Sequence, residues 1–296
     1  MATKSNLVAY QGVEGAYSHL SCTKVFPDYE AIACESFKDA ILMVEEDRAK
    51  YAMIPLENST AGRVEEIYRL LPKTHLQIVA EHFEPVNHCL LALPGVELND
   101  IKTVSSHPQA LAQCFNRLDA LNIKAIAASD TALSAKNLAA ALVAGTAENL
   151  AKARQQGAIA STLAAELYGL NVVAENFQDV TGNTTRFIVL AKDAQANYYQ
   201  EGCENITSLL FTVRNMPAAL YKALGGFATN GINMIKLESY MDGGTMNASH
   251  FHIDLSGHPD QAGMKNALDE LHFFAKDIRI LGSYPGHSYR RKSDFV

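Results

Sequence analysis

The sequence predicts an α/β protein in which a two-lobed domain is followed by a smaller βαββαβ module of ferredoxin-like order. Over residues 6–192, short apolar strands alternate with helices, and most strands end in a cluster of polar residues. A polar stretch without periodicity at 193–205 predicts a linker. Residues 206–285 then follow the order strand, helix, strand, strand, helix, strand, which predicts the module, and 286–296 form a tail.

The composition limits the possible functions before any motif is considered. The 296 residues are 48% hydrophobic and carry a formal net charge of −7, so we expect a well-buried core and no nucleic-acid partner. No apolar stretch is long enough to span a bilayer, and the N-terminus lacks the pattern of a secretory signal. We therefore expect a cytoplasmic protein without a membrane partner.

The cysteines and histidines do not predict a metal site. The five cysteines are scattered without a Cys-x-x-Cys pair and are interpreted as buried thiols. His250 and His252 would share one strand face, but no further ligand lies close to them in the sequence. We expect no bound metal.

The first lobe begins with a strand at 6–10 and a glycine-containing loop at 12–19. This loop is either a tight turn or a ligand loop before a helix N-terminus, where an anion is favoured. After a strand at 30–35 and a helix at 36–49, the next strand, 51–56, ends in a polar tip. Ligands of open α/β sheets bind beyond the carboxyl ends of strands, so this tip is a candidate ligand site. It consists of Glu57, Asn58, Ser59 and Thr60.

The chain crosses to a second lobe near 84–92. There, a strand at 102–106 leads into a helix whose N-terminus favours a carboxylate. Ser106 is alternatively a helix cap, and His107 either contacts a ligand or caps the helix. The polar residues at this tip are Ser106, His107 and Gln109.

A strand at 123–128 ends in a second tip of the same lobe, which contains Ser129 and Thr131. The chain returns to the first lobe near 178–184 and enters a strand through Asn183. Alternation along that strand places Thr185 and Phe187 on one face and sends Arg186 to the other. Arg186 is therefore interpreted first as a structural ion pair and second as a substrate contact.

Together, the strand tips offer many neutral hydrogen-bond donors and few cations. A small, anionic, oxygen-rich ligand would fit a cleft between the two lobes.

The module begins with a strand at 207–213 and a helix that opens at Asn215. Strands at 233–241 and 248–255 are joined by the turn Asp242-Gly243-Gly244, and a helix and a strand complete the order. A unit of about 80 residues has a small core, so its sheet is expected to pair with a partner subunit.

Four of the strand tips resemble the catalytic motifs of the prephenate dehydratase family, in the family's order. These are residues 57–59, 106–111, 129–132 and 183–187. The match covers nearly the whole chain and is specific because the four motifs occur together. The resemblance implies a two-lobed, periplasmic-binding-protein-like catalytic domain followed by an ACT regulatory domain.

The resemblance also implies a reaction. Prephenate would lose carbon dioxide and hydroxide to give phenylpyruvate in L-phenylalanine biosynthesis, and no cofactor is needed because aromatisation supplies the driving force. Thr185 would donate a hydrogen bond or relay a proton to the leaving hydroxide. Phe187 would pack against the nascent ring, and Glu57 would be protonated or point away from the dianion. The implied substrate-binding residues are Glu57, Asn58, Ser59, Thr60, Ser106, His107, Gln109, Ser129, Thr131, Asn183, Arg186 and Phe187.

In this family the ACT domain binds phenylalanine between subunits and lowers activity. Tyr240 and Met241 replace the family's Arg-Pro pair, which leaves the strength and identity of the effector open. We expect a homodimer or homotetramer, with a module that only assembles subunits as the alternative. The implied effector-binding residues are Asn215, Met216, Pro217, Ala218, Leu220, Asn233, Glu238 and Ser239.

Three other functions are compatible with the sequence. An arogenate dehydratase would act on a substrate with an amine in place of the ketone. A two-lobed small-anion binding protein, or a sensory protein with vestigial catalytic tips, would carry out no chemistry. An assay for phenylpyruvate with prephenate separates the enzyme from the two non-catalytic possibilities, and rates with both substrates separate a prephenate from an arogenate dehydratase.

Overall fold

The computed structural model describes residues 6–144, 146–193, 204–241 and 248–292. The first lobe is built around a mixed sheet. Its elements are β1 (Leu7–Gln11), α1 (Tyr17–Val25), β2 (Glu30–Cys34), α2 (Phe37–Glu45), β3 (Tyr51–Asn58), β4 (Gly62–Arg63), α3 (Glu65–Leu70) and β5 (Gln77–Pro85).

The second lobe has its own five-stranded sheet and a separate apolar core. Its elements are β6 (Cys89–Ala92), a 3-10 turn (Leu98–Asp100), β7 (Thr103–Ser106), α4 (Pro108–Gln113), α5 (Phe115–Ala120), β8 (Lys124–Ala127), α6 (Thr131–Ala144), α7 (Ala147–Ala153), β9 (Gln156–Ala160), α8 (Thr162–Tyr168) and β10 (Asn171–Ala174). The chain then returns to the first lobe as β11 (Thr184–Ala191).

The C-terminal module follows, and one short helix lies after it. Its elements are β12 (Asn205–Val213), α9 (Ala219–Thr229), β13 (Met234–Met241), β14 (Ala248–Ser256), α10 (Ala262–Phe274), β15 (Ala275–Pro285) and α11 (Tyr289–Lys292). No helix in these described ranges is both long and apolar enough to cross a membrane.

Each lobe and the module has a sheet of its own. The first sheet has the order β2-β1-β3-β11-β5, with β4 paired to β3, and the second has the order β10-β6-β9-β7-β8. Both crossings between the lobes occur at the ends of β5 and β10. The module has the order β13-β14-β12-β15, which is the ferredoxin-like arrangement predicted from the element order.

Strand β11 is central because its two faces belong to different environments. Phe187 and Val189 pack with the core under α1, whereas Ile188 and Leu190 pack with the core shared by the first lobe and the module. This alternation follows from the period of two in a strand. The module therefore lies against one face of the first sheet.

The module approaches the first sheet closely at Gly282 in β15. A Cβ atom at Gly282 would lie 2.0 Å from the carbonyl oxygen of Ile78 in β5. Only glycine fits this contact without a shift of one backbone relative to the other. Tyr284 and Leu281, also in β15, are buried in the shared core.

Several expectations for the C-terminal third differ from the structure. The helix predicted to open at Asn215 begins at Ala219, because Ala218 has a φ of 56° in the left-handed region. The segment predicted as a tail contains α11, whose Tyr289 stacks on Phe83 with ring centroids 4.7 Å apart. The turn Asp242-Gly243-Gly244 and most of the predicted linker lie outside the described residues.

Candidate active site

The cleft between the two lobes contains two adjoining cavities of about 160 and 410 Å³. They share lining residues from both lobes, so they form one continuous candidate site. The shared residues are Tyr17, Asn58, Gln109, Asp130, Thr131 and Thr185.

Thr185 reaches this cleft because of its register in the first sheet. It lies opposite Asn58 of β3, and the register shifts between Arg186 and Phe187, where the bulged β3 strand contains Pro55. Proline lacks a backbone N–H and is tolerated at such a bulge. Phe187 lines the same cleft as Thr185, and it is almost fully buried.

The side chain of Asn58 has a fixed orientation. Its Oδ1 accepts hydrogen bonds from the backbone N–H groups of Thr60 and Ala61 at 3.0 and 2.9 Å. A backbone N–H can only donate, so the amide nitrogen of Asn58 must face the other way. From there, Nδ2 donates to Thr185 Oγ1 at 2.9 Å.

This bond determines where the proton of Thr185 points. Thr185 Oγ1 accepts from Asn58, and its own O–H finds no acceptor within the described part of the chain. The hydroxyl is half-buried on the cleft wall. Its hydrogen is therefore available to a group bound in the cleft.

The same network continues from Asn58 across the cleft. Asn58 Nδ2 donates to Asn183 Oδ1 at 2.7 Å, and Asn183 Nδ2 donates to Gln113 Oε1 at 3.0 Å. Gln113 Nε2 in turn donates to Thr60 Oγ1 at 2.9 Å. Gln113 is the last residue of α4, so these bonds join the second lobe to the first. His88 Nε2 lies 2.8 Å from Gln113 Oε1 and ends this series.

Other walls of the cleft come from helix N-termini. Helix α1 has no acidic residue in its first turn and no side-chain cap, and its Tyr17 and Ser18 line the larger cavity. Gln109 lines both cavities, and His107 lines one of them while its Nδ1 accepts from the Gln109 backbone N–H at 3.2 Å. His107 is thus both a cap and a cleft residue. Asp130 lines both cavities beside Thr131.

Four predicted substrate-binding residues at the strand tips line neither cavity, and one of them, Thr60, accepts a hydrogen bond from Gln113 instead. The Ser106 hydroxyl is fully buried and donates to the Ile159 carbonyl at 2.7 Å, so it cannot reach the cleft. Ser59 Oγ accepts from the Thr184 backbone N–H at 2.9 Å and stabilises the strand-end turn. Ser129 is exposed and lies outside both cavities.

Glu57 and Arg186 lie on the opposite face of the sheet, against the module. The prediction that these two side chains contact the substrate is therefore wrong, because neither reaches the cleft. Arg186 pairs with Glu57, Glu81 and Asp254 at 2.9, 2.9 and 2.5 Å, and Glu57 also pairs with Lys236. The structural ion pair that alternation predicted for Arg186 is therefore observed. We call this set, which is buried around Arg186 and partly exposed at its edges, the interface cluster; its members are Glu57, Glu81, Arg186, Lys236, Asp254, Tyr284 and Arg290.

The interface cluster has a strong electrostatic effect on its own carboxyl groups. Burial alone would raise the pKa of Asp254, but the adjacent Arg186 holds this pKa well below its usual range. Burial opposes ionisation of Glu81 as well, and hydrogen bonds from Arg290 together with Arg186 lower its pKa. For Arg186, burial is outweighed by Asp254, and its pKa lies well above the usual value. All three groups are held in their charged forms.

The predicted effector residues fall into separate groups within one chain. Glu238 pairs with Arg63 at 3.1 Å, and the Ser239 carbonyl accepts from the same guanidinium. Asn233 lines a cavity of about 560 Å³ between the module and the first lobe. No hydrogen bond within the described ranges joins either group to the third, which precedes and opens α9. That third group is Asn215, Met216, Pro217, Ala218 and Leu220.

Sequence reasoning did not identify several polar residues of the cleft, which include Tyr17, Ser18, Arg63, His88, Gln113 and Asp130. Gln113 follows Gln109 by four positions on a helix, so helical spacing could have suggested it. Asp130 adjoins the predicted Thr131. Tyr17 belongs to the glycine-containing loop segment, whereas His88 carries no local signal. In the described ranges, no group of three or more His, Cys, Asp or Glu is placed to hold a metal ion.

The chain matches a known protein family and is similar to characterised relatives over most of its length. A family model described as prephenate dehydratase matches residues 8–195. A relative from Komagataeibacter europaeus, named a bifunctional N-acyl-homoserine lactone acylase/prephenate dehydratase, is 43% identical over 97% of this chain and 98% of its own length. Arogenate dehydratase/prephenate dehydratase 1 of Arabidopsis thaliana is 39% identical over 94% of this chain and 71% of its own length.

A solved structure also matches the whole fold. The prephenate dehydratase of Arthrobacter aurescens, determined in complex with L-Phe, is 31% identical with a TM-score of 0.81. The match covers 94% of this chain and 89% of that one.

Proposed function

Because this chain belongs to the prephenate dehydratase family, we propose that it converts prephenate to phenylpyruvate in the cleft beside Thr185. In this reaction the bond to the ring carboxylate breaks and carbon dioxide leaves. The electron pair of that bond enters the ring, and the C–O bond to the ring hydroxyl breaks at the opposite end. The departing hydroxide takes up one proton and becomes water. The ring that remains is aromatic, which drives the reaction.

The observation that carries this assignment is the direction of the Thr185 hydrogen bond. Asn58 donates to Thr185 Oγ1, so the Thr185 proton is free to point at a leaving hydroxyl in the cleft. A donor that is oriented before the substrate arrives stabilises developing negative charge without reorganisation. Thr185 is a poor net acid and acts as a donor or relay.

The two carboxylates of prephenate need partners, and the one arginine or lysine among the described residues that line the two cavities is Arg63. The uncapped N-terminus of α1, with Tyr17 and Ser18, presents backbone N–H groups and a positive helix dipole. Gln109 adds a neutral donor from the other lobe. These groups orient the ring hydroxyl toward Thr185 and place the apolar ring against Phe187.

The decisive variant is Thr185→Val, which keeps the shape of the side chain and removes the donor. Loss of one donor to developing charge corresponds to about 3–4 kcal/mol, so turnover of prephenate should fall by roughly a hundredfold to a thousandfold. Phenylpyruvate absorbance measures the rate. The matched control is Thr184→Val, because the Thr184 hydroxyl bonds to the Gly182 carbonyl outside the cleft. A Thr185→Val rate within about tenfold of the parent would contradict the assignment.

A second substrate, arogenate, is favoured by one specific observation. Asp130 lines both cavities, and one of its carboxylate oxygens caps α6 through the Leu133 N–H at 2.9 Å. A carboxylate in the cleft attracts the ammonium group of arogenate, whereas it repels the dianionic part that both substrates share. Plant relatives of this chain are named arogenate dehydratases.

Asp130→Asn keeps the helix cap and removes the charge. Its ratio of kcat/KM for arogenate over prephenate should fall by about tenfold, equivalent to ~1.4 kcal/mol. Rates with both substrates, measured on parent and variant, give this ratio. An unchanged ratio would show that Asp130 does not select the substrate.

Control by L-phenylalanine through an ACT-type module is the regulatory part of the proposal. The module touches the catalytic sheet through charged pairs that adjoin the site in sequence. Lys236 pairs with Glu57, which precedes Asn58, and Asp254 pairs with Arg186, which follows Thr185. An effector that binds differently to two arrangements of these pairs would alter the cleft.

Lys236→Met tests this route. Calorimetry should show L-phenylalanine binding to both parent and variant, while inhibition of the dehydratase should weaken in the variant. Inhibition equal to that of the parent would exclude this route, and no heat with either protein would exclude the effector. Light scattering with and without L-phenylalanine tests the proposed dimer or tetramer.

A further inference from the structure

His88 lies where the two connections between the lobes meet. Its backbone N–H donates to Gln178 Oε1 at 2.9 Å, and its carbonyl accepts from the Phe177 N–H at 2.7 Å. Its ring makes an edge contact with Tyr17 of the first lobe and a hydrogen bond to Gln113 of the second. His88 is 3% exposed. It is therefore fixed against both lobes at their hinge.

The protonation of the His88 ring follows from the network that begins at Asn58. Backbone N–H groups fix Asn58, so the oxygen of Asn183 must face Asn58 and its nitrogen must face Gln113. The atom of Gln113 that accepts from Asn183 is then an oxygen. The same oxygen faces His88 Nε2, so this nitrogen must carry a hydrogen.

The other ring nitrogen, Nδ1, lies 3.3 Å from the hydroxyl of Tyr17. Burial lowers the pKa of His88, and its hydrogen bond to Gln113 only partly opposes that effect. Nε2 thus carries a hydrogen, and burial disfavours a second proton on Nδ1.

We propose that His88 is a positioning residue for the dehydration step, which it serves by holding the Gln113 amide through Nε2–H. The held amide in turn orients Asn183 and Thr60, which flank Asn58 and so hold Thr185 at its place in the cleft. This inference rests on the proposed function of the cleft. According to this inference, a residue at the connection between the lobes helps to align the active site.

A pair of variants at this position separates hydrogen bonding from packing. His88→Met fills the space without a donor, whereas His88→Gln places an amide nitrogen near the position of Nε2. We expect His88→Met to lower kcat by about tenfold to a hundredfold, since small misplacements of catalytic groups cost this much, with little change in KM. His88→Gln should recover most of the rate. Equal loss in both variants, with melting temperatures near the parent value, would assign His88 to packing alone.

A double-mutant cycle with Gln113→Met tests whether His88 acts through Gln113. In the Gln113→Met background, His88→Met should change kcat by less than about threefold, because the partner of the donor is absent. Full additivity of the two losses would overturn the proposal.

Two further measurements keep the test independent of variant folding and of the proposed activity. In protein labelled with ¹⁵N-histidine, the His88 resonances should report protonation at Nε2 and not at Nδ1; the opposite tautomer would overturn the proposal. A parent protein that does not convert prephenate would refute the function itself, whereas an active parent with unaffected His88→Met would refute only this inference.

Discussion

The two faces of β11 carry networks of opposite character one residue apart. Thr185 belongs to a network of neutral amides and hydroxyls that is open to a cleft, whereas Arg186 belongs to the charged interface cluster, where its side chain is 3% exposed. Neutral groups orient one hydroxyl without adding charge near a dianionic substrate. Charged groups, once buried, are costly to separate and therefore fix the module against the sheet.

We expect the two faces to control different properties, namely the rate of turnover and the free energy of unfolding. Changes on the Thr185 face should alter turnover and leave the free energy of unfolding nearly constant, while changes on the Arg186 face should do the reverse. Five variants or conditions that act on contacts with the module sharpen the comparison.

Replacement of Arg186 by Met should have the largest effect on stability. It leaves Glu81 and Asp254 buried without their central cation, and the loss of one partner from a buried pair costs about 3–5 kcal/mol. Urea denaturation monitored by circular dichroism gives the free energy of unfolding. A loss below ~1 kcal/mol would mean that solvent enters the cluster.

Acid should weaken the same interface. The pKa values of Glu81 and Asp254 are lower in the folded protein than in the unfolded chain, so they stabilise the fold at neutral pH. This contribution is lost as pH falls below the ordinary carboxyl range toward the depressed values, by up to about 1.4 kcal/mol per pH unit for each group. Thermal melts from pH 7 to pH 3 measure the slope.

Glu81→Gln should flatten this acid dependence. The control is Glu148→Gln, because the Glu148 side chain is 78% exposed in an isolated helical pair and should leave the slope unchanged. An identical slope in all three proteins would show that the interface cluster is not the source of acid sensitivity.

Gly282→Ala should have an intermediate effect. The new methyl group would overlap the Ile78 carbonyl, and overpacking of this kind costs about 1–3 kcal/mol. Gly225→Ala in α9 is the matched control, since no atom outside its own helix lies within 4 Å of the added carbon. That variant should be neutral or slightly stabilising, and a loss equal to that of Gly282→Ala would point to a general intolerance of substitution in the module.

Arg63→Met should have the smallest effect. Arg63 pairs with Glu65 and with Glu238 of the module, it also lines the larger cavity, and its side chain is 31% exposed. A partly exposed pair of this type contributes less than about 1 kcal/mol. The difference between Arg63→Met and Arg186→Met in denaturation midpoints therefore measures the effect of burial on arginines that pair with the module.

The sequence predicted the position of Thr185 and Phe187 because strand alternation is a local property. The same alternation assigned Arg186 to the other face, although its partners could not be named, since Asp254 lies 68 residues away. Ser106 looked equally suitable for the cleft, but its hydroxyl binds the Ile159 carbonyl. That contact depends on the pairing of β7 with β9, which no local pattern reveals.

The cleft residues that were not predicted from the sequence also depend on contacts between distant parts of the chain. His88 acts only through contacts that the lobe connections bring together, and Gln113 faces Thr60 from 53 residues away. Strand tips can be predicted one at a time, whereas a network that joins them requires the relative placement of two lobes.

The contact of Gly282 with Ile78 has a mechanical consequence. Backbone meets backbone there, so the module cannot settle any closer to the catalytic sheet at that point. The charged pairs of Arg186 lie on the same interface, so a backbone stop and a set of ion pairs together define the distance between the module and the sheet.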